Sequence, residues 1–463
     1  MLLPFMTYKR LGNRGERLVN CFAETGKPSE PQPVRLFGSP GIFDWSTVPL
    51  ACCRGAGSHK GEAYAVYSST LYKIDKDGVD TAIGTIPGPG RVSMASNGVQ
   101  LCVVANGDGY IWDGAILQPI GDPGFTSYSP DMVTEMDGFF LFNDANSAIW
   151  FKSKLYDGLN YEGDEFDLAS KYSDFTVGIL ACEMLVLVAC TGSIEFWYNG
   201  GGTPFPYQRA PNGVAEIGVA ATHSLAKDET GTYFLASDNT VRLVQVGSIE
   251  PVRISHHGVE DAISGYTTID DAWAFTTSID GHNMYHLVFP TEGACWVFDS
   301  AAKTWHERES LNKDYWDVGG AVTAYGKELV FSRDSNKVGY LDQKTYTEWD
   351  YELLRSWTYA NVYAQGKRGM HAELDVAIDT GWATGTTDPQ IMLELSDDGG
   401  ETFRGPVKVT FWKKGEYGRR AVFHRLGSSR NRVYRMSISD DAKMIVRDTQ
   451  LRASQATLPV RAA

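Results

Sequence analysis

The sequence predicts an all-β protein: a β-propeller of six or seven blades followed by a smaller β-sandwich-like domain. Three observations predict it. A strand–turn–strand unit returns seven times between residues 60 and 342, helical periodicity is sparse throughout, and both rhythm and charge change after residue 350. At 463 residues the chain is long enough for a large repeat-built domain plus a smaller one. Its 48 glycines and 19 prolines are scattered, which suits a turn-rich globular chain and excludes collagen or wholesale disorder.

The unit is clearest in NGVQLCVVANGDGYIWDG, from Asn97 to Gly114. Val99, Leu101, Val103 and Ala105 fall on one face of an alternating run, Gly107-Asp108-Gly109 turns the chain, and Tyr110-Ile111-Trp112 begins a second run. Period two with Asn-Gly and Asp-Gly punctuation predicts antiparallel strands. A phosphate-cradling loop would lead into an amphipathic helix, and none follows. Trp112 is expected to fill space between blades.

The same pattern starts at Lys60, Asn97, Asp137, Cys182, Thr230, Asp280 and Tyr325, at spacings of 37 to 50 residues. That period, with several strands in each unit, is the signature of propeller blades, whose closure into a ring protects strand edges. A β-sandwich or a pair of stacked sheets is the alternative. The fourth unit has Cys182-Glu183 where others have a glycine turn, so an irregular blade is expected there. The resulting division is an amino-terminal segment, residues 1–59, contributing strands to the propeller or its closure; a propeller over 60–350; and a sandwich-like domain over 351–463.

In that last part, alternation continues in Glu373–Ile378, Ile391–Leu395 and Val433–Ile438, separated by long polar links such as Thr380 to Pro389. The charge also changes sign. Residues 1–350 carry 25 basic and 44 acidic side chains, a net −19, whereas residues 351–463 carry 17 and 13, a net +4. So acidic a body repels phosphate backbones, which argues against a nucleic-acid grip and is compatible with a surface that must not stick to DNA.

Seven cysteines, an odd number without metal or redox spacing, imply no disulfide framework and suit synthesis in a reducing cytosol. The opening MLLPFMTYKR does not read as a signal peptide. The longest apolar run, Val177 to Cys190, contains Glu183 and falls short of the roughly 20 residues that span a bilayer. No membrane insertion by this chain is expected.

No catalytic, cofactor-binding or metal site is read from the residues. Ser396, Asp398, Gly400, Thr402 and Phe403 form an Asp-box, in which the carboxylate accepts turn N–H groups and the aromatic packs beneath a hairpin; its role is structural. His282 and His286 have i, i+4 spacing but lie in a strand-like run without the glutamate of a zinc-binding helix, and read as a structural pair. His256-His257 reads as loop. Acidic pairs at Asp164-Glu165, Asp270-Asp271 and Asp440-Asp441 read as solvated turns, with a glycosidase carboxylate pair as the alternative.

The compositional outlier is Arg404 to Arg435, ten cations against the single acid Glu416. It reads as a solvated strand face, as a docking surface for an acidic neighbour such as the body of an adjacent copy, or as a DNA-backbone contact. Arg419, Arg420, Arg425, Arg430 and Arg432 are its candidate partner or subunit contacts.

Several stretches, in order along nearly the whole chain, carry a family resemblance. They are Arg17-Leu18-Val19-Asn20-Cys21-Phe22-Ala23-Glu24, Gly38-Ser39-Pro40-Gly41-Ile42, Gly88-Pro89-Gly90-Arg91-Val92-Ser93-Met94-Ala95, Asp122-Pro123-Gly124-Phe125-Thr126, Gly192-Ser193-Ile194-Glu195-Phe196-Trp197 and Arg425-Leu426-Gly427-Ser428-Ser429-Arg430. Together they resemble the tail hub or nozzle proteins of short-tailed double-stranded-DNA phages, also described as packaged-DNA stabilisation or tail accessory proteins. The carboxy-terminal part departs most from that pattern.

The resemblance implies a virion structural protein without catalysis or cofactors, made in the host bacterial cytoplasm and assembling as a hexameric ring below the portal and its adaptor. Such a ring would continue the DNA channel without sequence-specific binding, help retain packaged genome, and attach a tail needle and fibres or spikes. The competing reading is a carbohydrate-binding or glycan-degrading propeller protein.

Overall fold

Lys60-Gly61, Asp137-Gly138, Asp280-Gly281 and Tyr325-Gly326 each place both residues at positive φ, from 49° to 84°. Each pair joins two strands through a two-residue loop, as the flanking pairs His59↔Glu62, Met136↔Phe139, Ile279↔His282 and Ala324↔Lys327 demonstrate. This is the backbone that matches the twist of a hairpin, and glycine at the second position meets its demand without a Cβ penalty. The turns that mark the repeat thus become the first hairpins of successive blades.

The computed structural model describes residues 17–25, 34–172, 174–359, 361–363, 367–382, 388–411 and 413–455. The opening MLLPFMTYKR and the middle of the Thr380-to-Pro389 link lie outside them. Seven blades form a propeller. Six are four-stranded meanders spanning 53–85, 92–119, 133–168, 176–215, 226–253 and 273–307. The first strands form the inner ring, and Cys53–His59 of blade one lies beside both Val92–Ser96 of blade two and Gly320–Ala324 of blade seven.

Blade seven is made from both ends of the propeller. Its first three strands, Gly320–Ala324, Lys327–Phe331 and Lys337–Asp342, are completed by Gly41–Thr47 running antiparallel to the third. A strand from each end of the repeat array closes the ring and covers an edge that would otherwise be unpaired.

Aromatic and aliphatic side chains fill the gaps between neighbouring blades. Trp112 packs with Tyr64, Val66 and Leu71 between blades two and one, Phe125 with Phe142 and Phe151 between two and three, and Tyr67 with Leu329 and Phe331 between one and seven. Each blade therefore depends on its neighbours for its core. The fourth blade is a complete four-stranded sheet, and the expected irregularity is confined to register shifts near Thr176 and Glu195. Glu183 itself takes the turn, at φ 53°, beside the exposed Met184.

The amino-terminal segment divides its strands between the two domains. Gly41–Thr47 joins the propeller, whereas Leu18–Val19, Cys21–Thr25 and Val34–Gly38 join the carboxy-terminal sandwich. One sandwich sheet runs in the order Leu18–Val19, Arg355–Thr358, Asn431–Ile438, Gln390–Ser396, Arg404–Thr410. The other runs Cys21–Thr25, Val34–Gly38, Ile445–Gln455, Gly369–Ile378, Ala421–His424. Between them lie Trp357, Leu374, Val376, Leu393, Phe423, Met436 and Ile438, all buried.

Leu18–Val19 also pairs in parallel with the outer strand of blade six, through Val19↔Glu307, while pairing antiparallel with Arg355–Thr358. One two-residue strand thus runs blade six into the sandwich sheet. Asn20 follows it at φ 53°, donates Nδ2 to the carbonyls of Glu309 and Leu354, both at 2.8 Å, and accepts the Glu309 N–H at Oδ1. A short polar side chain is one of the few that tolerates this φ and can also satisfy three backbone groups.

Candidate functional site: the basic carboxy-terminal face and the propeller axis

The Asp-box sits on the hairpin between Gln390–Ser396 and Arg404–Thr410. Asp398 Oδ1 accepts from Ser396 Oγ at 2.6 Å, from Glu401 N at 3.1 Å and from Thr402 N at 3.0 Å, while Oδ2 accepts from Thr402 Oγ1. Gly400 donates its N–H back to Ser396 Oγ at 2.8 Å. These hydrogen bonds to the ionised form hold the Asp398 carboxyl well below its usual range. Phe403 lies under the Arg435 guanidinium, 3.8 Å from its centre, and Arg435 Nε donates to Glu394 at 2.7 Å.

The hairpin next engages the basic run. Asp397 accepts from Arg404 at 2.7 Å and from the fully buried Arg432 at 2.6 Å, and Arg432 also donates to the Leu426 carbonyl. Arg420 pairs with Asp375 at 2.6 Å. Lys408, Lys413, Lys414, Arg425 and Arg430 are exposed and have no carboxylate partner among the described residues. Arg419 is exposed and held by interactions of its own. The run thus separates into internal ties (Arg404, Arg420, Arg432, Arg435) and outward cations in different places: Lys413-Lys414 in a turn beyond the Ile378 end of Gly369–Ile378, tied there by Gly415 N to the Gly381 carbonyl, and Arg425 and Arg430 at its Gly369 end.

The histidines serve the fold. His282 Nδ1 pairs with Asp299 at 2.7 Å, which raises its pKa. His286 meets Thr277 Oγ1 at 2.9 Å and stacks on Phe275, and burial lowers its pKa. His256 caps the helix His257–Ser264, accepting from Gly258 N, where the sequence suggested a loop. No cluster of three metal-ligating side chains occurs among the described residues. Of the acidic pairs, Glu165 meets the buried Lys152 at 2.8 Å, Asp271 holds Thr291, and Asp440 accepts the Gln390 N–H.

The residue missed by sequence reasoning is Arg91, at the entry to blade two. Its Nη1 donates to the Gly319 carbonyl of blade seven at 2.7 Å, and its guanidinium lies 3.9 Å from the centroid of Trp273, at the start of blade six. Burial, with a smaller contribution from the Arg91 charge, pushes the imidazole of His223, ahead of blade five, down to about 3. Residues entering blades two, six and seven therefore meet across the axis. Gly90-Arg91 in the sequence carried the signal; the meeting across blades did not show in it.

Together these features define a seven-bladed β-propeller, tied across its axis by Arg91 and continuous through one blade with a two-sheet β-sandwich. A sequence profile described as "Bacteriophage P22 Gp10, beta-propeller" matches residues 16–346, and one described as "Bacteriophage P22 Gp10, beta-sandwich" matches residues 356–454. The chain belongs to this family. It is 24% identical over 247 residues to the "Tail hub protein gp10" of Salmonella phage P22, an alignment spanning 49% of this chain and 50% of that protein.

Solved structures with lower similarity include the extracellular domain of the putative one-component system BT4673 from B. thetaiotaomicron. It has a TM-score of 0.44 at 10% identity, over 93% of this chain and 62% of that one. BamB from Moraxella catarrhalis has a TM-score of 0.40 at 9% identity, over 70% and 97%.

Proposed function

We propose that this chain is a structural protein of a phage tail, a hub that assembles as a ring beneath the portal–adaptor complex, continues the DNA channel, helps retain the packaged genome and offers attachment to needle, fibres or spikes. The observation that carries this reading is membership of the Gp10 family through both domains in order, together with a relative named as a tail hub protein.

The geometry refines the proposal. Arg91 reaches across the propeller's own axis, and in this reading the conduit runs between copies rather than through any one propeller. An acidic body of net −19 over residues 1–350 suits walls along which a polyanion slides without adhering. Residues 351–463 supply the docking part in this reading. In this reading the outward cations Lys413 and Lys414 at one end of Gly369–Ile378, and Arg425 and Arg430 at the other, face the acidic propeller of the next copy and set the register of the ring.

The test is the native mass of the purified protein, alone and mixed with a portal–adaptor complex. A ring forming on that platform is the expected result. A persistent monomer that ignores the adaptor but binds or releases sugar from host-surface glycan would overturn the hub reading.

A further inference from the structure

A cavity of about 300 Å³ lies where the sandwich meets blades six and seven. Its walls come from Phe22, Phe37, Tyr346, Ile279 and Met444, and its polar lining includes Ser39 and Arg355. Arg355 is 1% exposed and Ser39 is 2% exposed. Arg355 Nη1 donates to the Ala442 carbonyl at 2.8 Å and Nη2 to the Tyr346 carbonyl, but Nε has no partner among the described residues, and neither does Ser39 Oγ. No carboxylate forms an ion pair with this guanidinium among them.

A buried guanidinium without a counter-ion is costly, and the cost falls sharply when an anion completes it. Gly38 lets the arginine into this position, since a Cβ there would approach Arg355 Cδ to 2.8 Å and Nε to 3.4 Å. Lys443 adds a cationic side chain to the lining, whereas His282 is already paired with Asp299 at 2.7 Å. Glu24 and Asp280, both exposed, also line the cavity and disfavour a dianion.

We infer that this junction cavity is a binding site for a monoanionic carboxylate carried on an apolar body, with Arg355 Nε and Ser39 Oγ donating to the carboxylate and Phe22, Phe37 and Met444 receiving the apolar part. Such a group is supplied either by a free small acid or by the carboxy-terminal residue of a peptide. The inference is independent of the hub reading, since it rests on the cavity of a single chain.

The experiment is calorimetric titration of the full chain with 3-phenylpropionate, its neutral amide, inorganic phosphate, and a short peptide ending in phenylalanine with a free or an amidated terminus. The carboxylate is expected to bind at least about tenfold more tightly than the amide or phosphate, because one charge-assisted hydrogen bond in a desolvated site is worth about that factor. Binding by the free acid alone assigns the site to a small molecule, and tighter binding of the free-terminus peptide assigns it to a chain end. Ser39→Ala and Lys443→Gln, which leave Arg355 in place, should each weaken binding several-fold with an unchanged melting temperature before ligand is added. Equal affinity for acid and amide, no binding of any carboxylate at millimolar concentration, or unaltered affinity in both variants would overturn the inference.

Discussion

The Arg91 guanidinium lies 3.9 Å from the centroid of the Trp273 ring, although blade one and blade seven separate the blades that carry the two residues. The contact ties the ring across its axis, and the hydrogen bond to Gly319 adds a third blade to the tie. Arg91 is also desolvated, which lowers its pKa to about 10, still well above neutrality. Arg91→Ala removes a desolvated cation–π contact and a charge-assisted hydrogen bond, for an expected loss of about 2–4 kcal/mol. Urea unfolding at pH 7 measures it. A loss below about 0.5 kcal/mol, the range of ordinary surface substitutions, would show that the axis is not a structural tie.

Asn20 supports the junction in a different way. Asn20→Ala leaves the carbonyls of Glu309 and Leu354 and the Glu309 N–H without their side-chain partner, and places a methyl-bearing residue at φ 53°. The expected cost is about 3 kcal/mol or more. Calorimetry should show the sandwich and propeller melting in separate transitions in the variant and in a single transition in the unsubstituted protein. Asn20→Asp should be worse, because a carboxylate cannot donate to either carbonyl.

Acid should destabilise the protein before its carboxylates titrate. Burial lowers His223 and His306 to about 3 and His371 to about 4, and holds His286 well below its usual value. Each therefore binds a proton in the unfolded chain from pH 6.5 downward but not in the folded one. Stability is fully present above pH 6.5 and falls as pH drops toward the folded values, by about 2 kcal/mol per fully buried group between pH 7 and 5. His282 works in the opposite direction, since Asp299 raises its pKa. His371→Gln, at a ring held by Tyr434 and Ser429, should flatten the pH profile of urea midpoints. An unchanged slope would remove His371 from the account.

Asp398 should govern local rather than global order. Asp398→Ala deletes the acceptor for Glu401 N and Thr402 N. Amide hydrogen exchange at those two positions should accelerate, while exchange in the first strands of the blades stays unchanged. Because its pKa is depressed, the stabilisation by Asp398 is present above the usual carboxylate range and is lost as pH falls through the lower folded value.

The proposed ring contact is tested by reversing outward charges. Lys413→Glu with Lys414→Glu should weaken ring assembly and reduce its sensitivity to salt, since both side chains are exposed and unpaired with carboxylates among the described residues. Arg420→Glu is a poorer probe, as it also breaks the internal pair with Asp375. Unaltered assembly in the double variant would remove the docking role of this loop.

Local chemistry made much of the architecture legible. Alternating apolar runs and the Lys60-Gly61, Asp137-Gly138 and Asp280-Gly281 turns marked blades because period two and positive φ are properties of a few adjacent residues. The hydrogen bonds around Asp398 are equally local, all closing within seven residues, from Ser396 to Thr402. The basic run was visible as composition, but composition does not distinguish Arg432, buried against Asp397, from Lys413, which faces solvent.

The sequence by itself determined the all-β class, the propeller followed by a sandwich and the repeated hairpins. Only the tertiary structure decided that Gly41–Thr47 closes blade seven against Lys337–Asp342, that Leu18–Val19 stitches blade six to the sandwich, and that Arg91 meets Trp273 across the axis. Those pairings join residues up to about 340 positions apart. Their selection depends on covering the last open edges and burying shared side chains once the blades have packed, and no local pattern carries that information.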